Sequence, residues 1–172
     1  MRIFIKAAIL LLVFVVENSV AMPFDSRGYR QCMTIDQVQE VAKNSNHRLS
    51  IMGPKNEMAG GANYLIFQNE VLIGNLYTWK NRLDMVTWDF SGGIEAMVKQ
   101  LNYLSKEGYK KEDSNWKSQL FYDGRESFSL DIYLTYPKSK KDFYVEVGLN
   151  AISGNVEPTG HVSWNSRSHY CK

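Results

Sequence analysis

The clearest hydrophobic pattern in the chain is a strict alternation that covers residues 127–149. In its first arm every second side chain is apolar, and this set is Phe128, Leu130, Ile132, Leu134 and Tyr136. The second arm repeats the same period with Phe143, Val145, Val147 and Leu149. A period of two is typical of a strand with one buried face. Pro137 and a charged run separate the two arms. They therefore predict an antiparallel hairpin whose apolar face is the floor of the core.

Two other stretches have the spacing of amphipathic helices. The first begins with a capping box, in which Thr34 is the N-cap and Gln37 stands three residues later. Its apolar stripe is Val38, Val41 and Ala42. The second helix has the stripe Ile94, Met97, Val98, Leu101 and Leu104, and Gly108 follows as a C-cap.

The rest of the chain predicts short strands and turns. Strands are expected at residues 49–52, 64–67, 71–79, 83–90 and 120–122, with an edge strand at 161–164. Residues 55–62 predict a loop, and residues 110–118 are polar. A helix followed by strands thus occurs twice, in 36–90 and in 93–149. This order predicts an α+β fold of two helix-then-antiparallel-strands halves, with the helices packed on one face of an antiparallel sheet.

The first 21 residues have the pattern of a secretory signal peptide. Arg2 and Lys6 precede an apolar run at 7–16, and Ser19-Val20-Ala21 is a small-x-small cleavage site. The apolar run is much shorter than the roughly 20 residues that a membrane span needs, which disfavours the alternative of an N-terminal anchor. We therefore expect one mature α+β domain at 22–172, located in the periplasm or secreted.

The charge balance and the hydropathy of the chain exclude two classes of partner. The formal net charge of +2 argues against nucleic acid, because phosphate binding needs clustered basic residues. Nothing after the signal is apolar enough for stable membrane insertion.

In an oxidising compartment Cys32 and Cys171 are expected to form a disulfide. The alternative is a pair of independent free thiols.

Motifs of catalysis and cofactor binding are absent from the sequence. There is no nucleophile elbow and no phosphate-binding loop, and His47, His161 and His169 lack the spacing of metal ligands. The sequence therefore predicts no cofactor, no metal site and no catalytic residue. Asp131 and Glu146 share the polar face of the 127–149 hairpin and are the one pair suited to glycoside hydrolysis. The alternative, that both are solvated strand carboxylates, is the one we favour.

Aromatic side chains give the remaining functional signal. Tyr133 and Tyr144 lie on the same polar hairpin face. Tyr77 and Trp79 of the preceding hairpin are expected to extend that surface, although the pattern does not decide which way these two side chains face. Tyrosine and tryptophan offer a large contact area with few rotatable bonds, so these four residues are the predicted protein-binding site. The alternative is that another segment covers them.

The run from Cys32 to Val38 resembles the start of the helix-plus-sheet modules of beta-lactamase inhibitor proteins. It is also similar to outer-membrane assembly lipoproteins of the SmpA/OmlA type. Met33, Thr34 and Val38 match their Gly-Met-Thr/Ser…Val opening, while Cys32 replaces the glycine, and the similarity covers residues 33–90 at most. The resemblance implies an exported binding domain. We expect an inhibitor or immunity-type partner of another envelope or extracellular protein, acting by steric occlusion. The alternatives are a structural accessory of envelope assembly and, third, a small hydrolase.

Overall fold

Strands dominate the folded chain. The computed structural model describes residues 25–52, 60–120, 124–136, 143–153, 157–166 and 171. Strands hold 59% of these residues, and the two helices among them are short. The prediction of an α+β fold with helices packed on one face of a sheet is therefore wrong, because the described chain is mostly β. The signal peptide predicted at residues 1–21 lies outside the described residues.

The described elements follow a simple order. A small two-stranded sheet comes first, and then a helix with four strands occurs twice. The first part of the chain contains β1 (Asp25–Ser26), β2 (Tyr29–Arg30), α1 (Ile35–Asn44), β3 (Arg48–Ile51), β4 (Gly61–Gln68), β5 (Val71–Trp79) and β6 (Arg82–Phe90). The second part contains α2 (Gly93–Lys106), β7 (Lys110–Leu120), β8 (Glu126–Thr135), β9 (Phe143–Ile152) and β10 (Thr159–Ser166).

Strands from both parts form one eight-stranded antiparallel sheet. Its order is β3-β4-β5-β6-β10-β9-β8-β7, so each group of four strands is a meander and the last strands of the two groups meet in the middle. At this junction Trp88 of β6 pairs with Val162 of β10, and Val86 pairs with Trp164. The sheet therefore runs without a break from one group to the other.

Two tight turns fix the register of the first group. Asn69 and Glu70 join β4 to β5 with φ angles of 50° and 62°, and Lys80 and Asn81 join β5 to β6 with φ angles of 49° and 60°. Two successive residues with positive φ are typical of type I′ turns, whose twist matches that of the flanking strands. The pairs on either side of each turn, Gln68 with Val71 and Trp79 with Arg82, are consequently in direct register.

The core lies against one face of this sheet, which we call the inner face. One cluster of buried side chains comprises Tyr29, Val38, Ala42, Tyr64, Ile66, Leu76, Leu83, Val86 and Trp88. The other comprises Met97, Leu104, Leu134, Val145, Val147, Leu149 and Val162. Trp164 packs against both clusters, which joins them across β10. The opposite side of the sheet, the outer face, is free of these clusters.

Two segments show why the hydrophobic pattern misjudged the strand content. Strand β7 is polar and mostly exposed, because it lies at the edge of the sheet and buries neither face. Strand β10 is longer than the predicted edge strand at 161–164, and it lies between β6 and β9 rather than at an edge. In α2 the stripe is narrower than predicted, since Ile94 and Val98 are exposed.

A disulfide bond ties the two ends of the described chain together. Cys32 and Cys171 are bonded, with their Cα atoms 5.2 Å apart, which confirms the predicted bridge. The backbone around Cys32 is itself paired with β6, since its N–H donates to the Leu83 carbonyl at 2.9 Å. The bridge therefore fastens residue 171 to β6, the strand of the first group that adjoins β10.

Candidate functional site

Regular strand register aligns polar side chains on the outer face in rows. One row crosses four strands and consists of Asp131, Gly148, His161 and Asp89. The next crosses five strands and consists of Tyr133, Glu146, Ser163, Thr87 and Asn75. Their inner-face neighbours, such as Val147 and Val162, are buried in the core. Alternation therefore sends the polar members of both rows to the side that the hydrophobic clusters leave free.

The two rows bring an imidazole and two carboxylates together. His161 Nε2 lies 3.2 Å from Glu146 Oε1, and about one fifth of each side chain is exposed. Asp131 faces this pair from β8, so that one ligand-type atom from each of the three residues lies within 4.8 Å of the others. We call Asp131, Glu146 and His161 the carboxylate–histidine cluster.

Gly148 provides the space in which this cluster forms. It lies between Asp131 and His161 in their row. A Cβ atom added to it would lie 2.6 Å from His161 Nε2 and 2.7 Å from Asp131 Oδ1, both closer than Cβ atoms come to their neighbours. The imidazole and the carboxylate therefore occupy the volume above a residue without a side chain, and any larger residue there would push them apart.

The ionisation of the cluster follows from burial and from the charges within it. The hydrogen bond to Glu146 raises the pKa of His161 above its ordinary value, although burial works against this shift. Burial raises the pKa of Asp131, and the neighbouring Glu146 carboxylate adds to that shift. Burial also raises the pKa of Asp89, while the charge of His161 opposes the change. Three carboxyl groups thus surround one imidazole, which leaves an excess of negative charge.

Two of the four predicted binding residues lie beside this cluster. The rings of Tyr133 and Tyr144 are 5.8 Å apart between centroids, at an angle of 59°. Tyr133 pairs directly with Glu146 across the β8–β9 ladder. Both tyrosines are half-buried, so each ring presents part of its surface outside the protein. They form one continuous aromatic and acidic surface with the cluster.

Tyr77 and Trp79 lie on β5, on the same side of the sheet but apart from the other two. The Tyr77 ring leans towards Gly61 on β4, where a Cβ atom would lie 2.7 Å from its Cζ atom. Alternation places Trp79 on the same face as Tyr77, opposite Gly61. Strands β6 and β10 separate them from Tyr144, a distance of about 14 Å across three strand spacings. The sequence-predicted site therefore consists of two aromatic pairs on one face.

An apolar cleft of about 520 Å³ lies elsewhere, at the ends of β7, β8 and β9. Trp116, Leu120, Phe128 and Ile152 are among its walls. Among its described lining residues only Glu126 has a titratable side chain, so the cleft lacks the convergent polar groups of a reactive site. The outer face remains the better candidate because aromatic, acidic and imidazole groups meet there.

The sequence interpretation missed His161 and Asp89. His161 was expected in an edge strand without the spacing of a metal ligand, and Asp89 was not among the candidate residues. The signal was present in the alternation of His161, Ser163 and Asn165 with Val162 and Trp164, which is the pattern of a strand with one buried face. The pairing of that strand with β9 could not be derived from the pattern.

Comparison with known proteins adds no assignment. No protein-family model matches the chain, and no curated protein matches it either. Within the part of the chain that the structure describes, neither helix has the length and apolar character needed to cross a membrane. The geometry of the outer face is therefore the main indication of function.

Proposed function

We propose that this protein is an exported protein-binding domain, an inhibitor or immunity-type partner that occludes part of another envelope or extracellular protein. The observation that carries the proposal is the outer face itself. Tyr133 and Tyr144 lie there half-buried and in contact, beside polar groups that are held in register by four neighbouring strands. Side chains on a hydrogen-bonded sheet lose little freedom when a partner docks.

Tyrosine suits such a surface for a physical reason. Its ring buries a large apolar area with only two side-chain torsions to freeze, and its hydroxyl remains available for a hydrogen bond. Residues of this kind dominate the energy of protein interfaces when they lie near the centre of the contact. Tyr77 and Trp79 extend the same face towards β5, so that a partner of ordinary interface size would contact both aromatic pairs.

The disulfide supports the exported location. Disulfides form and persist in oxidising compartments and are rare in the reducing cytosol. The signal pattern at residues 1–21 points the same way. A periplasmic or secreted position is consequently part of the proposal, and the resemblance of residues 33–90 to exported inhibitor modules stays a prediction.

The test is a binding experiment with matched tyrosine variants. The mature protein is immobilised and used to capture proteins from cell envelope and medium, and the captured protein is then purified for affinity measurement. We expect the double variant Tyr133→Ala/Tyr144→Ala to bind this partner roughly 100-fold more weakly, since each central tyrosine contributes over about 1 kcal/mol. Tyr103→Ala is the control, because Tyr103 is an exposed tyrosine on α2, away from the outer face.

Two results would count against the proposal. One is a partner whose affinity does not change in the double variant while thermal unfolding shows that the variant is folded. The other is equal weakening in Tyr103→Ala, which would place the contact on the helical side. Selective recovery of outer-membrane assembly complexes, instead of a single target, would favour the envelope-assembly alternative.

A further inference from the structure

We propose that Asp131, Glu146 and His161 form a binding site for one divalent transition-metal ion, with Zn²⁺ as the ion that best fits the ligand set. The site goes beyond the proposed function, because it requires no partner protein. It rests on three strands, β8, β9 and β10, that are hydrogen-bonded to one another.

The separations of the donor atoms suit a small ion. Ligands of tetrahedral zinc lie about 2.0–2.2 Å from the metal, so that two of them are roughly 3.3 Å apart. His161 Nε2 and Glu146 Oε1 are 3.2 Å apart, close to this value. One donor atom from each of Asp131, Glu146 and His161 lies within 4.8 Å of the other two, and a carboxylate can close the remaining gap by rotating about its side-chain torsions.

The backbone of the three strands fixes the Cα positions of the three ligand residues. Asp131 and His161 flank Gly148 in one row, and Glu146 comes from the next row of the same face. The missing side chain at Gly148 leaves room for Nε2 of the imidazole and for the Asp131 carboxylate. The three donors therefore converge from three strands onto one point above a glycine, with no loop involved.

Charge and ligand type select the class of ion. Asp131, Glu146 and the nearby Asp89 place three carboxyl groups around one imidazole, and a divalent cation would offset that excess of negative charge. Mg²⁺ and Ca²⁺ prefer sites built of oxygen ligands alone, so the imidazole nitrogen disfavours them. A set of one imidazole and two carboxylates without thiolate suits Zn²⁺ and its first-row neighbours.

Three protein ligands leave one position of a tetrahedral ion open. In zinc sites of this kind the fourth position holds water or a group from a bound molecule. The cluster is about one-fifth exposed at His161 and Glu146, so the open position is accessible from the outer face. The ion would consequently lie at the surface that carries Tyr133 and Tyr144.

The experiment measures metal binding by the isolated mature protein, without a polyhistidine tag and after treatment with chelator. Calorimetric titration with Zn²⁺ should show one ion per chain. Glu146→Gln and His161→Gln should each bind at least about 100-fold more weakly, because loss of an outer-shell partner alone costs 10–100-fold. Asp113→Asn is the control, since Asp113 is an exposed carboxylate that pairs with Tyr133 one strand away from the cluster.

Two further measurements keep the test decisive. Bound Co²⁺ should give the intense visible absorption of a tetrahedral site, and the spectrum should disappear in His161→Gln. Gly148→Ala should abolish binding while the metal-free protein remains folded in a thermal scan, since its Cβ would displace Nε2 and Oδ1.

The proposal would be overturned if the wild type bound no stoichiometric Zn²⁺, or if the Glu146 and His161 variants bound it as tightly as the wild type. Equal loss in Asp113→Asn would also overturn it, because that result indicates non-specific attraction to acidic groups. None of these outcomes depends on a partner, so the failure of this site and the failure of protein binding can be told apart.

Discussion

His47 and His161 are held in opposite electrostatic environments. The His47 ring stacks on Tyr29 with centroids 6.0 Å apart, and its Nδ1 atom is 3.0 Å from the Tyr29 hydroxyl. Burial lowers the pKa of His47, and the positive charge of Arg27 lowers it further. For His161 the hydrogen bond to Glu146 has the opposite effect on the pKa. The folded protein therefore disfavours the proton on His47 and favours the proton on His161.

The lowered pKa of His47 predicts a loss of stability in mild acid. The unfolded chain binds the His47 proton more tightly than the folded chain does. The stability that the uncharged His47 side chain contributes is therefore present above about pH 6.5, and it is lost as the pH falls through the pKa of His47 in the folded protein. Between pH 7.5 and pH 5 we expect the wild type to lose more stability than His47→Gln does, by on the order of 0.5 kcal/mol. The raised pKa of His161 acts in the opposite direction, but it is common to both proteins, so the difference between them isolates His47.

Urea unfolding at the two pH values measures this difference. An equal decline in wild type and His47→Gln would show that other groups cause the acid sensitivity. Tyr29 gives an independent check at the alkaline end, since burial raises its pKa to about 12 and its ionisation should destabilise the fold only above pH 10.

Among the elements, α1 is the one whose start is defined most fully by local chemistry. Thr34 accepts a hydrogen bond from the Gln37 N–H, and the Gln37 side chain accepts one from the Thr34 N–H at 2.9 Å. The same segment is paired with the β5–β6 turn, because Ile35 N–H donates to the Asn81 carbonyl. Hydrogen bonds within the capping box and a hydrogen bond to the β5–β6 turn therefore both hold the N-terminus of α1 in place.

Loss of the cap should destabilise the whole protein by a moderate amount. Thr34→Ala removes the acceptor for the Gln37 N–H, and we expect it to lower the free energy of unfolding by about 1 kcal/mol. Thr34→Ser keeps a hydroxyl in the same place and should retain most of the stability. Chemical denaturation of the three proteins provides the measurement, and identical midpoints for all three would contradict the expectation.

The elements also show how far the sequence could be interpreted. Alternation was sufficient for β9, which buries one face, and for β8, whose apolar residues are packed, mostly only partly buried, against the same core. The capping box was sufficient for α1. Alternation failed for β7, because Lys110–Leu120 is exposed along nearly its whole length. A strand that buries neither face does not need apolar residues at every second position. The carboxylate–histidine cluster needed the register of β10 on β9, which depends on partners distant in sequence. Hence Asp131 and Glu146 could be placed together from the pattern, but His161 could not.

At the scale of the whole molecule, the disulfide and the central strand hold the two groups of strands together. Cys32 and Cys171 are separated by 139 positions, so their bond restricts the unfolded chain over most of its length. In the chain-entropy account, a loop of this size stabilises the folded state by up to about 5 kcal/mol. The Cys171 sulfur also lies 3.7 Å from the Leu83 carbonyl, beside the junction of the two groups.

Removal of the bridge should therefore be the most damaging of the changes considered. We expect Cys32→Ser/Cys171→Ser to lower the free energy of unfolding by about 2–5 kcal/mol, and a reductant to lower the wild type by a similar amount. Urea titration with and without reductant measures both. The double variant is its own control, because reductant should leave it unchanged. A wild type whose midpoint is insensitive to reductant would show that the bridge contributes little.

The position of β10 has a consequence for how the protein reaches its folded state. During synthesis, the strand that completes the middle of the sheet emerges after β6, β9 and every other strand of the eight-stranded sheet. Until then β6 presents a bare hydrogen-bonding edge, which is a template for wrong partners. Pairing between strands so distant in sequence is slow, because the chain loses the entropy of loop closure before the stabilising contacts form. Newly made chains therefore pass through an interval in which self-association competes with completion of the sheet, and chaperones would act in that interval.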